Sequence, residues 1–297
     1  MFEKYRKAGK IAANSVKFGT NLIKPGITYF EVANKIESHI IKQGAKPSFP
    51  VNISINEIAA HYSPKYNDNT IFKKGDLIKL DVGSHIDGYI ADVAITLEIG
   101  SNQYADLIKS SSEALDNAIE FIKPGVEASE IGNIIDSTIK SYNYKPIDNL
   151  TGHSLDRYEL HSGISIPNVA NTVNKTKLKY GDVIAIEPFS TNGAGHVLSG
   201  EGSNIYLIKP SIKSRLIREK KLKSLFVNMG ASFGNLPFAH RWCKNMAKNI
   251  DISLKKLQFF GIIKHYPQLV EQEKGIVSQK EHTVIINEEG CEVTTIK

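Results

Sequence analysis

Two aspartates stand inside a stretch that otherwise reads as buried β-structure. "IKLDVGSHIDGYIADVAI", Ile78 to Ile95, places Asp81 and Asp92 among apolar neighbours. Read as a hairpin with its loop at His85 to Gly88, the stretch pairs Ser84 with Tyr89 and sets Asp81 directly opposite Asp92. Cross-strand partners share a face and converge on one point. Two ionised carboxylates so close in an apolar setting repel, and they need a shared proton or a cation between them. A divalent metal is the reading adopted for this pair, while Asp87 reads as a solvated or turn-forming residue. Further candidates follow along the chain. Glu187 lies in the apolar "VIAIEP", Glu281 opens the strand-like "EHTVII", and His153 and His161 lie within "TGHSLDRYELHSG". A single loop histidine or strand acid is more often structural. Taken together they are an inventory suited to a hard or borderline divalent ion.

The elements that must position these residues occur twice. "IKPGITYFEVANKIESHI" (Ile23 to Ile40) lines up with "IKPGVEASEIGNIIDSTI" (Ile122 to Ile139), each a Pro-Gly turn followed by apolar residues at helical spacing. "KKGDLIKLDVG" (Lys73 to Gly83) then matches "LKYGDVIAIEP" (Leu178 to Pro188), with Glu187 at the position of Asp81. Two copies of a helix and a strand in the same order imply two similar halves, about 1–100 and 101–297, packed face to face in one α+β domain over 1–297. Between about 203 and 267 the texture turns helical: "KPSIKSRLIREKKLKSLFVNMG" reads as a basic amphipathic helix, and "LPFAHRWCKNMAKNI" and "SLKKLQFFGII" as shorter ones. This is a helical insertion near the last strands. Strand patterning resumes at "HTVIINEEGCEVTTI", where Asn-Glu-Glu-Gly marks a hairpin turn.

Composition bounds the function. Cys243 and Cys291 are the sole cysteines and lie far apart, which argues against a disulfide framework or a thiolate metal site. Any metal falls to His, Asp and Glu. The first ten residues carry charge throughout, unlike a signal peptide, and no apolar run approaches the roughly 18 residues that span a bilayer. A cytoplasmic protein without membrane contact is expected. The net charge of +6 permits contact with polyanions, yet the basic helix reads as a solvated face and carries no helix-turn-helix or RNA-binding signature. No specific nucleic-acid partner is expected; at most the helix would make a weak electrostatic contact with a ribosome.

Asp81, Asp92, His153, Glu187 and Glu281, in that order, resemble the five-ligand dinuclear site of the methionine aminopeptidase and prolidase superfamily, whose fold is called pita-bread and has an internal pseudo-twofold. "LDVGSHIDGYIAD", "GHSLDRYELH", "IAIEPF" and "EHTVII" are similar to its motifs, and the resemblance covers essentially the whole chain. "NEIAAHYSP", with His61, resembles the segment that carries a substrate-facing histidine in methionine aminopeptidases. The helical insertion is similar to that of the type II enzymes, in their archaeal form.

The resemblance implies two divalent cations (Co, Mn, Fe or Zn), with Asp81 on one, Asp92 and Glu281 bridging, and His153 and Glu187 completing the other. It implies that Glu187 moves a proton, that His61 and His161 face the scissile amide, and that Phe49, Leu160, Ile205 and Tyr266 form the side-chain pocket. The implied activity is removal of the amino-terminal methionine from nascent polypeptides with a small second residue, by a monomer. The nearest alternative on the same fold is an Xaa-Pro aminopeptidase or prolidase. A binding protein that has lost its metals is a more distant one, since all five ligands are present.

Overall fold

The structure is a computed structural model that describes residues 1–170, 174–209 and 217–296. Its first half opens with helices α1 (Phe2–Leu22) and α2 (Tyr29–Lys42), its second with α3 (Ala105–Phe121) and α4 (Ala128–Ser141). The repeat read from the sequence recurs in the hydrogen bonds. Each Pro-Gly turn puts its glycine at positive φ, Gly26 at 87° and Gly125 at 91°, a conformation that costs glycine little. The Gly26 N–H donates to Phe72 O (2.9 Å) and the Gly125 N–H to Leu178 O (2.8 Å). Thr28 Oγ1 caps α2 by accepting from the Glu31 N–H, and the Glu130 carboxylate accepts from the Glu127 N–H at the start of α4. Before the matched strands, Asp76 Oδ2 accepts from the Lys73 N–H and Asp182 Oδ2 from the Lys179 N–H. The two halves therefore share one skeleton.

Both helix pairs bury the stripe that their spacing predicts: Val32, Ala33, Ile36 and Ile40 in α2, and Ile131, Ile135 and Ile139 in α4. Each stripe belongs to its own core, one per half. In the first half, the strands Leu77–Ile86 and Tyr89–Glu98 form a hairpin flanked by Asn52–Ile55. The second half carries a five-stranded sheet, with the central strand Val183–Ile186 between Thr151–Ser154 and His282–Ile286. The halves are sewn together along one line. Ala94 and Glu281 exchange backbone hydrogen bonds (3.0 and 3.4 Å), the Asp92 N–H donates to Thr283 Oγ1 (2.8 Å), and Thr96 Oγ1 donates to Gln279 O (2.7 Å).

The hairpin corrects the register expected from the sequence. Its turn is the two-residue Asp87-Gly88, both at positive φ (51° and 90°), so Ile86 pairs with Tyr89, Asp81 with Ala94 and Asp92 with Gly83. Asp-Gly is a strong signal for a tight hairpin whose twist matches its strands, and it prevails over a four-residue loop. The slip amounts to two residues, so Asp81 and Asp92 stay on the same face as diagonal neighbours. Asp87 is turn-forming, as expected.

Between the strands Val197–Ile208 and Ile263–Glu271, which pair with each other, lie helices α5 (Lys220–Phe233) and α6 (Ile250–Phe259). They share a core of their own that includes Leu225, Met229, Leu254 and Leu257. The helical stretch is thus narrower than 203–267, because both of its ends belong to strands. The basic helix begins at Lys220, and the expected helical residues 210–216 lie outside the described ones. "LPFAHRWC" departs from expectation. It forms a two-residue strand, Phe238–Ala239, and a single 3-10 turn, His240–Cys243; the strand pairs with Ile205 and Tyr206, so this part of the stretch is taken up by sheet rather than helix. The 287–290 turn does join two antiparallel strands, with Ile286 paired to Cys291. Among the described residues no helix is long and apolar enough to cross a membrane.

Candidate metal and substrate site

One cavity, about 560 Å³ counted out to its open mouth, collects every residue singled out from the sequence. Asp81, Asp92, His153, Glu187 and Glu281 form its floor, and Phe49, His61, Leu160, His161, Ile205 and Tyr266 its walls. The floor draws on both halves. Asp81 and Asp92 come from the hairpin, His153 from Thr151–Ser154, Glu187 from the end of Val183–Ile186, and Glu281 from the residue before His282–Ile286. His153 Nε2 lies 3.5 Å from Glu187 Oε1 and 3.8 Å from Asp92 Oδ2. One donor atom each of Asp92, His153 and Glu281 fall within 4.8 Å of one another.

The electrostatics of this floor are severe. Burial pushes the Asp81 carboxyl up to about 7, against hydrogen bonds to Asp92 and Asn52 that pull it down. Burial raises Asp92 well above the carboxylate range, and the charges of Glu281 and Asp81 add to it. Burial likewise raises Glu187, aided by Asp92 and Asp81, and Glu281, aided by Glu187 and Asp81. Each acid thus feels the others. The imidazoles move the opposite way: burial first, then the neighbouring His161, holds His153 at about 3. Four acids crowded this way want positive charge between them, and a neutral buried imidazole is a good ligand.

The walls stand on less regular backbone. His61 follows the short strand Ile58–Ala60 with φ at 63°, a left-handed conformation that costs a residue with a Cβ roughly 1–3 kcal/mol. Its ring meets Tyr266 edge to face at 5.5 Å. Burial, then His161 and Lys264, lowers His61 to about 4. His161 lies tilted against His153 with ring centroids 4.2 Å apart, and burial, then Lys264, lowers it too. Its loop is docked on the tip of the hairpin, where the Tyr158 N–H donates to Gly88 O (2.9 Å) and Arg157 Nε to Asp87 O (3.0 Å). A Cβ at Gly88 would stand 2.4 Å from the Tyr158 ring, so glycine there serves the docking as well as the turn. Two imidazoles that burial holds toward their neutral form therefore line the cavity together with the acids.

Residues 3–232 match metallopeptidase family M24. The chain is 48% identical over 295 residues to the methionine aminopeptidase of Methanocaldococcus jannaschii, which covers 99% of this chain and 98% of that one. The chain belongs to metallopeptidase family M24. Solved structures agree on the fold. The methionine aminopeptidase of Thermotoga maritima superposes with a TM-score of 0.72 at 24% identity, covering 99% of this chain and 96% of that one. A thermophilic Arx1 superposes with a TM-score of 0.85 at 16% identity, covering 98% and 90%. The architecture is the pita-bread fold of M24 enzymes.

Membership of an M24 metallopeptidase family implies divalent cations, and the donors present fit them. Asp81 Oδ1, Asp92 Oδ1, Glu281 Oε1 and His153 Nδ1 are buried with no hydrogen-bond partner among the described residues. A buried carboxylate oxygen left bare costs several kcal/mol unless a cation meets it. Two floor residues escaped the sequence reading. Asn52 Nδ2 donates to Asp81 Oδ2 (3.3 Å) and Gln279 Nε2 to Glu281 Oε2 (3.2 Å), and both line the cavity. Gln279 ends the short strand Val277–Gln279 two residues before Glu281, just ahead of the strand His282–Ile286. Asn52 pairs with Asp81 in the ladder, a partnership that only the register reveals. Ala60 and Pro237 complete the lining and carried no signal.

Proposed function

We propose that this chain is a methionine aminopeptidase that removes the amino-terminal methionine from polypeptides whose second residue is small. The observation that carries it is the meeting of five metal-type donors from both halves, two neutral histidines and an apolar wall in one cavity. Asp81, Asp92, His153, Glu187 and Glu281 would hold a pair of divalent cations. When bound, such cations lower the pKa of a water to near neutrality and supply Lewis acidity at the scissile carbonyl. Glu187, at the end of its strand beside His153, accepts a proton from the attacking water and passes it to the leaving nitrogen. Hydroxide thus adds to the carbonyl carbon, the C–N bond breaks and the amine leaves protonated. His61 and His161, neutral at pH 7, each offer one N–H to the carbonyl or amide as charge develops there. Phe49, Leu160, Ile205 and Tyr266 offer an unbranched thioether an apolar fit, and limited room beyond them would restrict the second residue to small side chains. A cytoplasmic monomer that meets chains as they are made suits this role.

The test pairs metal analysis with two substrates. The purified protein should hold divalent metal, release methionine from Met-Ala-Ser, lose that activity on chelation and regain it on metal return. Faster turnover of an Xaa-Pro peptide would instead identify a proline-directed enzyme of the same fold. A protein isolated without metal, whose thermal stability does not respond to chelation or metal return, would instead point to a metal-free binding protein.

A further inference from the structure

Glu37 and Arg241 are both 6% exposed, and they form an ion pair in the interior between α2 and the 3-10 turn. Burying two charges is expensive, and for stability alone an apolar pair of similar size often does as well or better. This pair is not even fully satisfied, because Arg241 Nε has no partner among the described residues. Its remaining contacts have a common destination. Glu37 Oε1 accepts from the Val51 N–H (3.2 Å), and Oε2 accepts from Trp242 Nε1 (2.9 Å). Arg241 Nη1 donates to Ser63 Oγ (2.8 Å) and Pro64 O (2.9 Å).

Ser63 is the hub. Its hydroxyl donates to Val51 O (2.7 Å), its N–H to Ser203 O (3.1 Å), and its own carbonyl accepts from Asn204 Nδ2 (2.9 Å). Ser203 Oγ in turn donates to Tyr266 O (2.7 Å) and accepts from the Ile205 N–H (3.1 Å). The pair therefore reaches Phe49 through Val51, His61 through Ser63, and Ile205 and Tyr266 through Ser203. His61, two residues before Ser63, needs such support because its left-handed backbone is not self-stabilising. None of the hydrogen bonds of the pair goes to a member of the acidic floor.

We propose that the buried Glu37–Arg241 pair is a positioning device that fixes His61 and the apolar wall, and through them the preference for the methionine side chain. It acts through Ser63 and touches no substrate. The inference rests on the function proposed above.

The experiment replaces both charges at once, with Glu37→Met and Arg241→Met in one chain, which avoids stranding a buried charge. Kinetics with Met-Ala-Ser and Leu-Ala-Ser, thermal melting and metal content are then compared with the unaltered protein. The expected result is a melting point and metal content close to the original, a fall in kcat/KM for the methionine peptide of roughly tenfold or more, the scale of a small misplacement, and a smaller gap between the two peptides. A merely structural pair would leave the peptide ratio where it was, and unchanged kinetics in the folded double variant overturn the proposal. Should the double variant not fold, Ser63→Ala decides. It keeps the ion pair but removes the hydroxyl that joins Arg241 to Val51, and unaltered kcat/KM and peptide ratio there would overturn the role given to Ser63 and with it the proposal as stated. An unaltered protein that releases no methionine would instead overturn the functional reading, and this inference with it.

Discussion

Asp81 and Asp92 stand on ten-residue strands whose pairing runs without a break from Leu77 and Glu98 to Ile86 and Tyr89. His61, across the same cavity, stands on a left-handed residue held by side-chain links through Ser63, Asn204 and Arg241. The hairpin acids of the floor are thus fixed by a backbone ladder that does not depend on which side chains it carries, whereas His61 in the wall is fixed by side chains. A conservative change on the floor should alter chemistry and leave shape alone. A change in the wall should alter shape, and selectivity with it.

The sharpest test of the floor is Glu187→Gln, which removes a charge at constant volume. Turnover should fall by roughly 10²–10⁴-fold, the usual worth of a positioned proton-transfer group. The metal-free variant should melt at or above the temperature of the metal-free original, because one of the mutually repelling acids facing Asp92 and Asp81 is gone. A collapsed melting point would mean that Glu187 holds the fold, and retained turnover would remove it from the mechanism. Stopped assays alongside calorimetry read both.

Next in size are the two facing histidines. His161→Ala and His61→Ala should each lower kcat by roughly 10²–10³-fold, the cost of one donor to a developing oxyanion, with metal content intact. Since His161 sits in a loop docked through backbone hydrogen bonds and His61 on a strained residue, the two should differ in stability. Replacing His61 by Gly, which accepts the left-handed conformation, should raise the melting temperature relative to His61→Ala. An equal melting point would show that the strain is already relieved elsewhere.

The same division explains what could be read in the chain before its structure. Asp81, Asp92 and Glu187 were legible as candidate ligands, because an acid inside an apolar strand is conspicuous and because the repeat matched Glu187 to Asp81, whereas His153 and Glu281 joined them as one set through the family resemblance. The hairpin register was not, since it hangs on whether the turn is Asp87-Gly88 or longer, and a slip of two residues preserves the face. His61 and the pocket residues were legible through family resemblance alone: no periodicity marks a left-handed histidine or a wall assembled from five separate segments. Asn52 stayed hidden for a related reason, as its role exists only through cross-strand pairing with Asp81. Asn52→Ala should therefore test a link of intermediate kind, a side chain that aims a floor ligand. Losing its 3.3 Å hydrogen bond to Asp81 should weaken metal affinity by about 10–100-fold with little change in melting point of the metal-free protein. Metal titration by calorimetry decides, and unchanged affinity would make Asn52 a spectator.

Gly83 is where floor and wall touch, so it yields the smallest but most discriminating effect. It pairs with Asp92 in the ladder, and a Cβ there would stand 2.1 Å from Ser48 Oγ and 2.2 Å from the Phe49 ring. The Ser48 hydroxyl has no hydrogen-bond partner among the described residues to keep it from turning, but the Phe49 ring must yield as well, and it lines the cavity. Gly83→Ala should cost about 1–3 kcal/mol from overpacking and raise KM for methionine peptides severalfold, while kcat at saturation and metal content hold because the ladder beneath is intact. Gly230→Ala supplies the contrast within one chain. Nothing lies within 4 Å of its added Cβ in the interior of α5, so it should stabilise the protein by about 0.5–1 kcal/mol and leave KM alone. If Gly83→Ala instead strips the metal while KM holds, the strand has moved rather than the ring, and floor and wall are one mechanical unit.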